Sequence, residues 1–82
     1  MTARLTLYTR KDCGLCEKMK ASIRAAGART PLYLEEIDVD SSLELVERYG
    51  TEVPVLLIDG RKAFKYRVTA KELERRLRRD NG

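Results

Sequence analysis

Two cysteines, Cys13 and Cys16, stand three positions apart and shortly follow an alternating apolar run at residues 5–9. Alternation with a period of two is typical of a half-buried strand, and the segment after the cysteines has the apolar spacing of a helix. A helix N-terminus carries roughly half a positive elementary charge, which favours a thiolate over a thiol. Two thiols one helical turn apart can also close into a reversible disulfide. The pattern therefore predicts redox chemistry at a strand-to-helix junction.

The length of 82 residues predicts one small domain that spans residues 1–82. A chain of this size buries only about 60–65% of its unfolded surface, so the chemistry is expected near the surface, on a loop or a helix end. Two cysteines are too few for a disulfide-stapled secreted scaffold, and no secretory signal or membrane-length apolar run is visible. We therefore expect a cytoplasmic monomer that has no membrane partner.

Charge is distributed unevenly along the chain. Residues 1–60 carry eight Lys and Arg against ten Asp and Glu, whereas residues 61–82 carry nine against three. The excess of positive charge in residues 61–82 is explained by a solvent-exposed helix face and by an edge strand whose cations prevent it from pairing with other chains. A docking surface for an acidic protein is the alternative. Nucleic acid is not an expected partner, because no aromatic platform is interleaved with the basic residues.

The order of apolar patterns and breakers predicts an α/β chain with the element order β-α-β-α-β-β-α. The predicted strands span residues 4–9, 32–38, 54–58 and 61–67, and the predicted helices span residues 14–26, 42–50 and 70–79. The first β-α-β unit should be a right-handed parallel crossover, and the last two strands an antiparallel hairpin. The result is a four-stranded mixed sheet flanked by helices.

Local signals support several of these boundaries. Capping boxes at Ser41–Glu44 and Thr69–Glu72 predict the starts of the second and third helices, and the dipeptide at 59–60, Asp-Gly, predicts a tight hairpin turn. The second strand alternates imperfectly, which predicts either a bulge or a strand buried on both faces.

Three segments resemble the small glutaredoxin-like proteins of the thioredoxin-fold superfamily. They are residues 7–16 (LYTRKDCGLC), residues 37–45 (IDVDSSLEL) and residues 49–55 (YGTEVPV). The resemblance covers about residues 4–78 and implies a minimal thioredoxin fold. It also implies a cis peptide bond before Pro54, placed opposite the cysteine pair, where the residues alone predict a trans proline that begins a strand.

The chain departs from the glutaredoxin pattern at three places. Gly14-Leu15 stands between the cysteines where the family carries Pro-Tyr, Glu52 replaces the threonine of its T-V-P segment, and Phe64-Lys65 replaces a Gly-Gly pair that helps to hold glutathione. These changes leave the dithiol intact but remove part of the glutathione pattern. The sequence therefore leaves two alternatives for the electron donor, glutathione and a reductase.

Position assigns different roles to the two thiols. Cys13, at the exposed end of the first helix, is the predicted nucleophile, and the cations Arg10 and Lys11 nearby in sequence favour its thiolate, whereas Asp12 opposes it. Cys16 lies one turn further on the apolar face and is the predicted resolving thiol. The two would form the redox-active disulfide.

Four further residues are candidates for substrate binding. The resemblance implies that Pro54 leaves the backbone of Val53 free to pair with an extended substrate. Lys11 is a candidate contact for a thiolate or carboxylate. Tyr8 is a weaker candidate, since a strand tyrosine is more often a packing residue.

The function predicted from these residues is that of a thiol-disulfide oxidoreductase acting on protein or small-molecule disulfides. Glutathione-dependent reduction is the alternative among enzymes, and a metal carrier, cluster carrier or docking module is the alternative outside enzymes. The sequence contains no histidine, which excludes a Cys-His hydrolase and argues against a zinc site built from this chain alone. We expect no metal and no tightly bound cofactor, with glutathione as a possible co-substrate.

Overall fold

A computed structural model describes residues 2–81, and of residues 80 and 81 only the backbone. Four strands, three α-helices and one 3₁₀ helix follow one another along it, with the strands and α-helices in the order that the sequence predicts. They are β1 (Ala3–Thr9), α1 (Gly14–Gly27), β2 (Leu32–Asp38), a 3₁₀ helix (Val39–Ser41), α2 (Leu43–Tyr49), β3 (Val55–Ile58), β4 (Arg61–Lys65) and α3 (Ala70–Asn81). None of the helices within residues 2–81 is long and apolar enough to cross a membrane.

The strands form one mixed sheet in the order β2-β1-β3-β4. β1 runs parallel to β2 and antiparallel to β3, which in turn runs antiparallel to β4. The pairings Thr9↔Asp38, Tyr8↔Val55 and Val55↔Lys65 bring four strand ends to one edge of the sheet. We call this edge, defined by Thr9, Asp38, Val55 and Lys65, the Thr9 edge.

Apolar side chains pack on both faces of the sheet. Alternate residues of β1 share the larger cluster with α1 and α3; its fully buried members include Leu5, Leu7, Met19, Ile23, Leu73 and Leu77. On the opposite face, Val39, Tyr49 and Val55 form a smaller cluster that covers the sheet near the Thr9 edge. Leu73 and Leu77, the apolar residues that α3 contributes, are completely buried.

The irregular alternation of β2 has neither of the predicted causes. β2 pairs with β1 without a register shift over its whole length, and it is an edge strand with partly exposed side chains. The only register shift between paired strands of the described chain falls between Leu56 and Leu57 of β3. No side chain of β2 is fully buried, so neither face of this strand requires an unbroken row of apolar residues.

The predicted capping box at Ser41 is also wrong. Ser41 ends the 3₁₀ helix, and the cap of α2 is Ser42, whose Oγ accepts the N–H of Leu45 at 3.4 Å. Ser41 instead donates its hydroxyl to the carbonyl of Asp38 at 2.6 Å. The 3₁₀ helix, which begins at the completely buried Val39, includes Ser41, so α2 starts one residue later than the capping box predicts.

β4 is shorter than predicted. It ends at Lys65, because Tyr66 has a φ of 72°, a left-handed conformation that interrupts an extended strand. The N–H of Tyr66 instead donates to the carbonyl of Pro54 at 2.8 Å. This hydrogen bond fastens the end of β4 to the segment before β3.

Candidate dithiol site

The two cysteines lie where β1 passes into α1. Cys13 is the N-cap of the helix, with an extended backbone (φ −111°, ψ 103°), and its Sγ accepts the N–H of Cys16 at 3.1 Å. The cap position arises because the chain turns at Asp12, whose φ is 55°, directly before the helix. The side chain of Cys13 thus takes the place that a serine or aspartate oxygen occupies in an ordinary helix cap.

A disulfide joins Cys13 to Cys16, with 5.2 Å between their Cα atoms. The two sulfurs have unequal access to solvent, because Cys13 is partly exposed and Cys16 is only 1% exposed. A Cβ built on the intervening Gly14 would meet no atom within 4 Å, so the space in front of the helix end is open. A reaction partner therefore reaches Cys13 first.

Cys13 lines an open cleft of about 650 Å³ at the Thr9 edge. The lining residues are Thr9, Arg10, Lys11, Asp12, Cys13, Gly14, Glu17, Lys20 and Asp38. The lining includes three cations and three carboxylates, so their formal charges cancel.

Two of the three cations are already paired with carboxylates. Lys20 Nζ lies 3.1 Å from Glu36 and 3.4 Å from Glu17, and its hydrogen bond to Glu36 is the main cause that raises the pKa of Lys20. Arg10 forms an ion pair with Asp40, with 2.7 Å between Nη2 and Oδ1. Lys11 is exposed and has no ion pair among the described residues. Lys11 is thus the cation of the cleft that remains available to a ligand.

Arg10 spans the space between three segments. Its Nη2 and Nε donate to the two carboxylate oxygens of Asp40 at 2.7 and 3.2 Å, and its Nη1 donates to the carbonyl of Gly50 at 3.0 Å. The hydrogen bond to Asp40 raises the pKa of Arg10 and lowers the pKa of Asp40. The positive charge of Arg10, which the sequence predicts to act on Cys13, is compensated at Asp40 instead.

The peptide bond between Val53 and Pro54 is cis, as the resemblance implies. Pro54 is completely buried, and its carbonyl is occupied by the N–H of Tyr66. Within residues 2–81, neither the N–H nor the carbonyl of Val53 makes a hydrogen bond. Because β3 runs antiparallel to β1, these residues come at the Thr9 edge, at the same end of the sheet as Cys13.

Tyr8 lies on the opposite face of the sheet from α1. Its ring stacks on that of Tyr49, with centroids 4.2 Å apart and planes inclined by 17°. Desolvation is the main cause that raises the pKa of Tyr8, and the neighbouring Tyr49 adds to it. The ring of Tyr49 is in turn covered by the ammonium of Lys62, 5.5 Å from its centroid. The ring of Tyr8 is thus committed to packing.

The structure therefore brings only part of the predicted set together. Cys13 and Lys11 line one cleft with Cys16 directly behind, whereas Val53 and Pro54 share the Thr9 edge but lie outside the cleft lining. Sequence reasoning missed the carboxylates of β2 and the following turn, Asp38 and Asp40. One signal pointed to them, since the carboxyl ends of adjacent parallel strands meet at the same edge of a sheet.

Comparison with known families matches residues 4–78 to the model of the glutaredoxin-like domain. The chain belongs to this glutaredoxin-like family. A curated relative, the glutaredoxin-like protein YDR286C homolog of Dictyostelium discoideum, is 29% identical over 75 residues, which cover 84% of this chain and 69% of the relative.

Solved structures resemble this glutaredoxin-like chain over almost its whole length. Protein XcR50 from X. campestris is 32% identical with a TM-score of 0.74, covering 92% of this chain and 96% of that one. Protein Ne2328 from Nitrosomonas europaea is 28% identical with a TM-score of 0.79, covering 93% and 92%. Desulfothioredoxin from Desulfovibrio vulgaris Hildenborough is 26% identical with a TM-score of 0.68, covering 92% and 78%. These neighbours establish the thioredoxin fold.

The glutaredoxin-like domain, the thioredoxin-fold neighbours and the Cys13–Cys16 disulfide together indicate a redox role. Among the described residues, no group of three or more His, Cys, Asp or Glu side chains is arranged to hold a metal ion.

Proposed function

We propose that this glutaredoxin-like chain is a thiol-disulfide oxidoreductase that works through Cys13 and Cys16. The observation that carries the proposal is a disulfide between an accessible N-cap cysteine and a buried one. The substrate is a disulfide in a protein or a low-molecular-weight compound. A reductase or glutathione supplies the electrons that return Cys13 and Cys16 to thiols.

In the first step, the thiolate of Cys13 attacks one sulfur of the substrate disulfide. A bond forms between Cys13 and that sulfur, the substrate disulfide breaks, and the other substrate sulfur leaves as a thiolate that takes up a proton. The N–H of Cys16, 3.1 Å from the Sγ of Cys13, and the helix N-terminus both favour negative charge on the attacking sulfur.

In the second step, Cys16 loses its proton and attacks the sulfur of Cys13. The Cys13–Cys16 disulfide forms, the mixed disulfide breaks, and the second substrate sulfur leaves as a thiol. Two electrons have then passed from the cysteine pair to the substrate. Burial of Cys16 disfavours its charged form, so that it reacts only when the mixed disulfide is already beside it.

The substrate is held in an extended form against the segment before Pro54. Its backbone pairs with the unpaired N–H and carbonyl of Val53, as in recognition by strand addition. Lys11 offers its unpaired ammonium to a carboxylate of the substrate, and Tyr8 supports the sheet beneath this edge. The chain acts as a cytoplasmic monomer without a tightly bound cofactor or metal.

A trapping experiment tests the mechanism. The Cys16→Ser variant is incubated with a synthetic peptide that carries a mixed disulfide, and intact-mass measurement follows the adduct. We expect a stable adduct on Cys13 in Cys16→Ser, none in the matched control Cys13→Ser, and only transient adduct in the wild type. Absence of an adduct in Cys16→Ser, with Cys13 free to react with a thiol reagent, would overturn the oxidoreductase proposal.

The electron donor is tested on the oxidised wild type. Consumption of NADPH is followed with thioredoxin reductase in one assay and with glutathione and glutathione reductase in another. Turnover in the first assay identifies a thioredoxin-like route, and turnover in the second identifies glutathione as the co-substrate. Stoichiometric metal in the purified protein together with no turnover in either would favour a carrier instead.

A further inference from the structure

Arg10 binds two segments that are distant from it in sequence. Its guanidinium binds Asp40, 30 positions away, through both carboxylate oxygens and Gly50, 40 positions away, through the carbonyl. A planar guanidinium that donates three hydrogen bonds at once fixes the orientation of its partners as well as their distance. The ammonium group of a lysine does not fix orientation in this way. The position of Arg10 is thus determined from two sides.

Each end of this connection leads into one half of the dithiol site. Arg10 follows β1 and precedes Cys13 by three positions, while Gly50 follows α2 and precedes Pro54 by four. The carbonyl of Gly50 belongs to the end of α2, where helical carbonyls lack partners inside the helix and favour a cation. Arg10 therefore joins the loop that carries Cys13 to the segment that carries Val53.

The backbone of Gly50 has little conformational freedom. The position of Gly50, which Arg10 helps to set, therefore also determines where the following segment lies. Its N–H donates to the carbonyl of Val46 at 2.8 Å, and a Cβ on Gly50 would lie 2.5 Å from the same oxygen. The next residues are fastened as well, since the N–H of Glu52 donates to the carbonyl of Tyr49 at 2.8 Å. Val53 follows directly, with its backbone unpaired within the described chain.

We propose that Arg10 is a positioning residue: through Asp40 and Gly50 it sets the separation between Cys13 and the backbone of Val53. The inference rests on the proposed function, since that separation matters only if a substrate spans both. A disulfide in an extended peptide needs Val53 and Cys13 together. A small disulfide that reacts at Cys13 alone does not.

The test compares two substrates for each variant. One is a peptide with a mixed disulfide, and the other is 2-hydroxyethyl disulfide. We expect Arg10→Gln to raise KM for the peptide roughly tenfold, the value of one or two lost backbone hydrogen bonds. The kcat for the peptide and the rate with the small disulfide should stay within about twofold of wild type. Arg24→Gln, which removes an exposed arginine of α1, is the matched control and should change neither.

Two further variants separate positioning from a direct effect of charge on Cys13. Arg10→Lys keeps the charge but not the three donors, so positioning predicts no rescue. Asp40→Asn removes the compensating carboxylate, so positioning predicts a raised KM for the peptide, as in Arg10→Gln. A direct charge effect predicts the reverse for both: rescue by lysine, and faster reaction of the small disulfide in Asp40→Asn.

Amide hydrogen exchange supplies a readout that does not depend on turnover. Positioning predicts faster exchange at Gly50 and Glu52 in Arg10→Gln, with exchange at Met19 and Ile23 in the core unchanged. If Arg10→Gln fails to fold, Asp40→Asn carries the same comparison. The inference is overturned if Arg10→Gln loses activity equally with both substrates, or if the rate of amide exchange at Gly50 is unchanged. A wild type that reduces neither disulfide overturns the proposed function instead.

Discussion

The ammonium of Lys65 lies 3.1 Å from Oε1 of Glu52, and the two residues form an ion pair. Both stand at positions where the chain departs from the glutaredoxin pattern, Glu52 in the T-V-P segment and Lys65 in the Gly-Gly pair. The pair joins the segment before Pro54 to the end of β4, beside the hydrogen bond from Tyr66 to the Pro54 carbonyl. Restoring the family residue at either position would therefore remove this ion pair.

This ion pair predicts a specific acid sensitivity. The hydrogen bond from Lys65 lowers the pKa of Glu52 below its ordinary value of about 4.5, and the charge of Lys62 contributes. A lowered pKa in the folded state gives stability that is present above pH 4.5 and is lost as the pH falls through the lower folded value. We expect the urea midpoint of the wild type to fall more between pH 7 and pH 3 than that of Lys65→Met.

The control for this prediction is Glu52→Gln in the Lys65→Met background. Once the lysine is gone, removing the carboxylate should change the acid sensitivity further by much less than it does in the wild type. An equal fall of the urea midpoint in the wild type and Lys65→Met would show that the pair contributes nothing to the pH dependence.

Truncation of the two leucines Leu73 and Leu43 should have very different effects. Leu73 is completely buried between α3 and the sheet, whereas Leu43 is 85% exposed at the start of α2. Leu73→Ala should lower the free energy of unfolding by about 2–5 kcal/mol, because it removes buried methyl groups and leaves a cavity. Leu43→Ala should stay within about 0.5 kcal/mol of wild type. Urea unfolding measures both, and a small loss for Leu73→Ala would contradict the packing of α3.

Replacing Gly60 or Gly14 with alanine should change the stability of the fold in opposite directions. Neither has an atom within 4 Å of a built Cβ, so steric overlap is not involved. Gly60 has a φ of 85°, and Gly60→Ala should destabilise the fold by about 1–2 kcal/mol, the cost of a left-handed conformation. Gly14 lies in the first turn of α1, and Gly14→Ala should stabilise by up to about 1 kcal/mol. Thermal unfolding checks the pair, and equal shifts would refute the conformational argument.

The features predicted correctly from sequence depend on neighbours along the chain. The Asp59-Gly60 signal gives two positive φ angles, 50° and 85°, as a tight hairpin turn requires. The capping box at Thr69 and Glu72 forms with both hydrogen bonds at 3.1 Å. Each signal involves residues no more than three positions apart, so local conformational preference is enough to determine the outcome.

The features that were missed depend on contacts between distant parts of the chain. Ser42 rather than Ser41 caps α2, since Ser41 belongs to a 3₁₀ helix that begins at the buried Val39 and that no capping pattern contains. Closeness in sequence predicts that Arg10 acts on Cys13, but its partners lie 30 and 40 positions away. Such pairing depends on how β1, the 3₁₀ helix and α2 pack together, and short sequence patterns do not encode that packing.

Tyr8 and Tyr49 offer a test of packing against substrate contact. Their rings are stacked at 4.2 Å, and an aromatic pair of this kind contributes about 0.5–1.5 kcal/mol beyond the area it buries. In a double-mutant cycle with Tyr8→Leu and Tyr49→Leu, we expect a coupling of about 1 kcal/mol in the free energy of unfolding. Tyr8→Phe keeps the ring and should leave KM for a peptide disulfide unchanged. A raised KM in Tyr8→Phe, at wild-type stability, would instead assign the hydroxyl of Tyr8 to substrate binding.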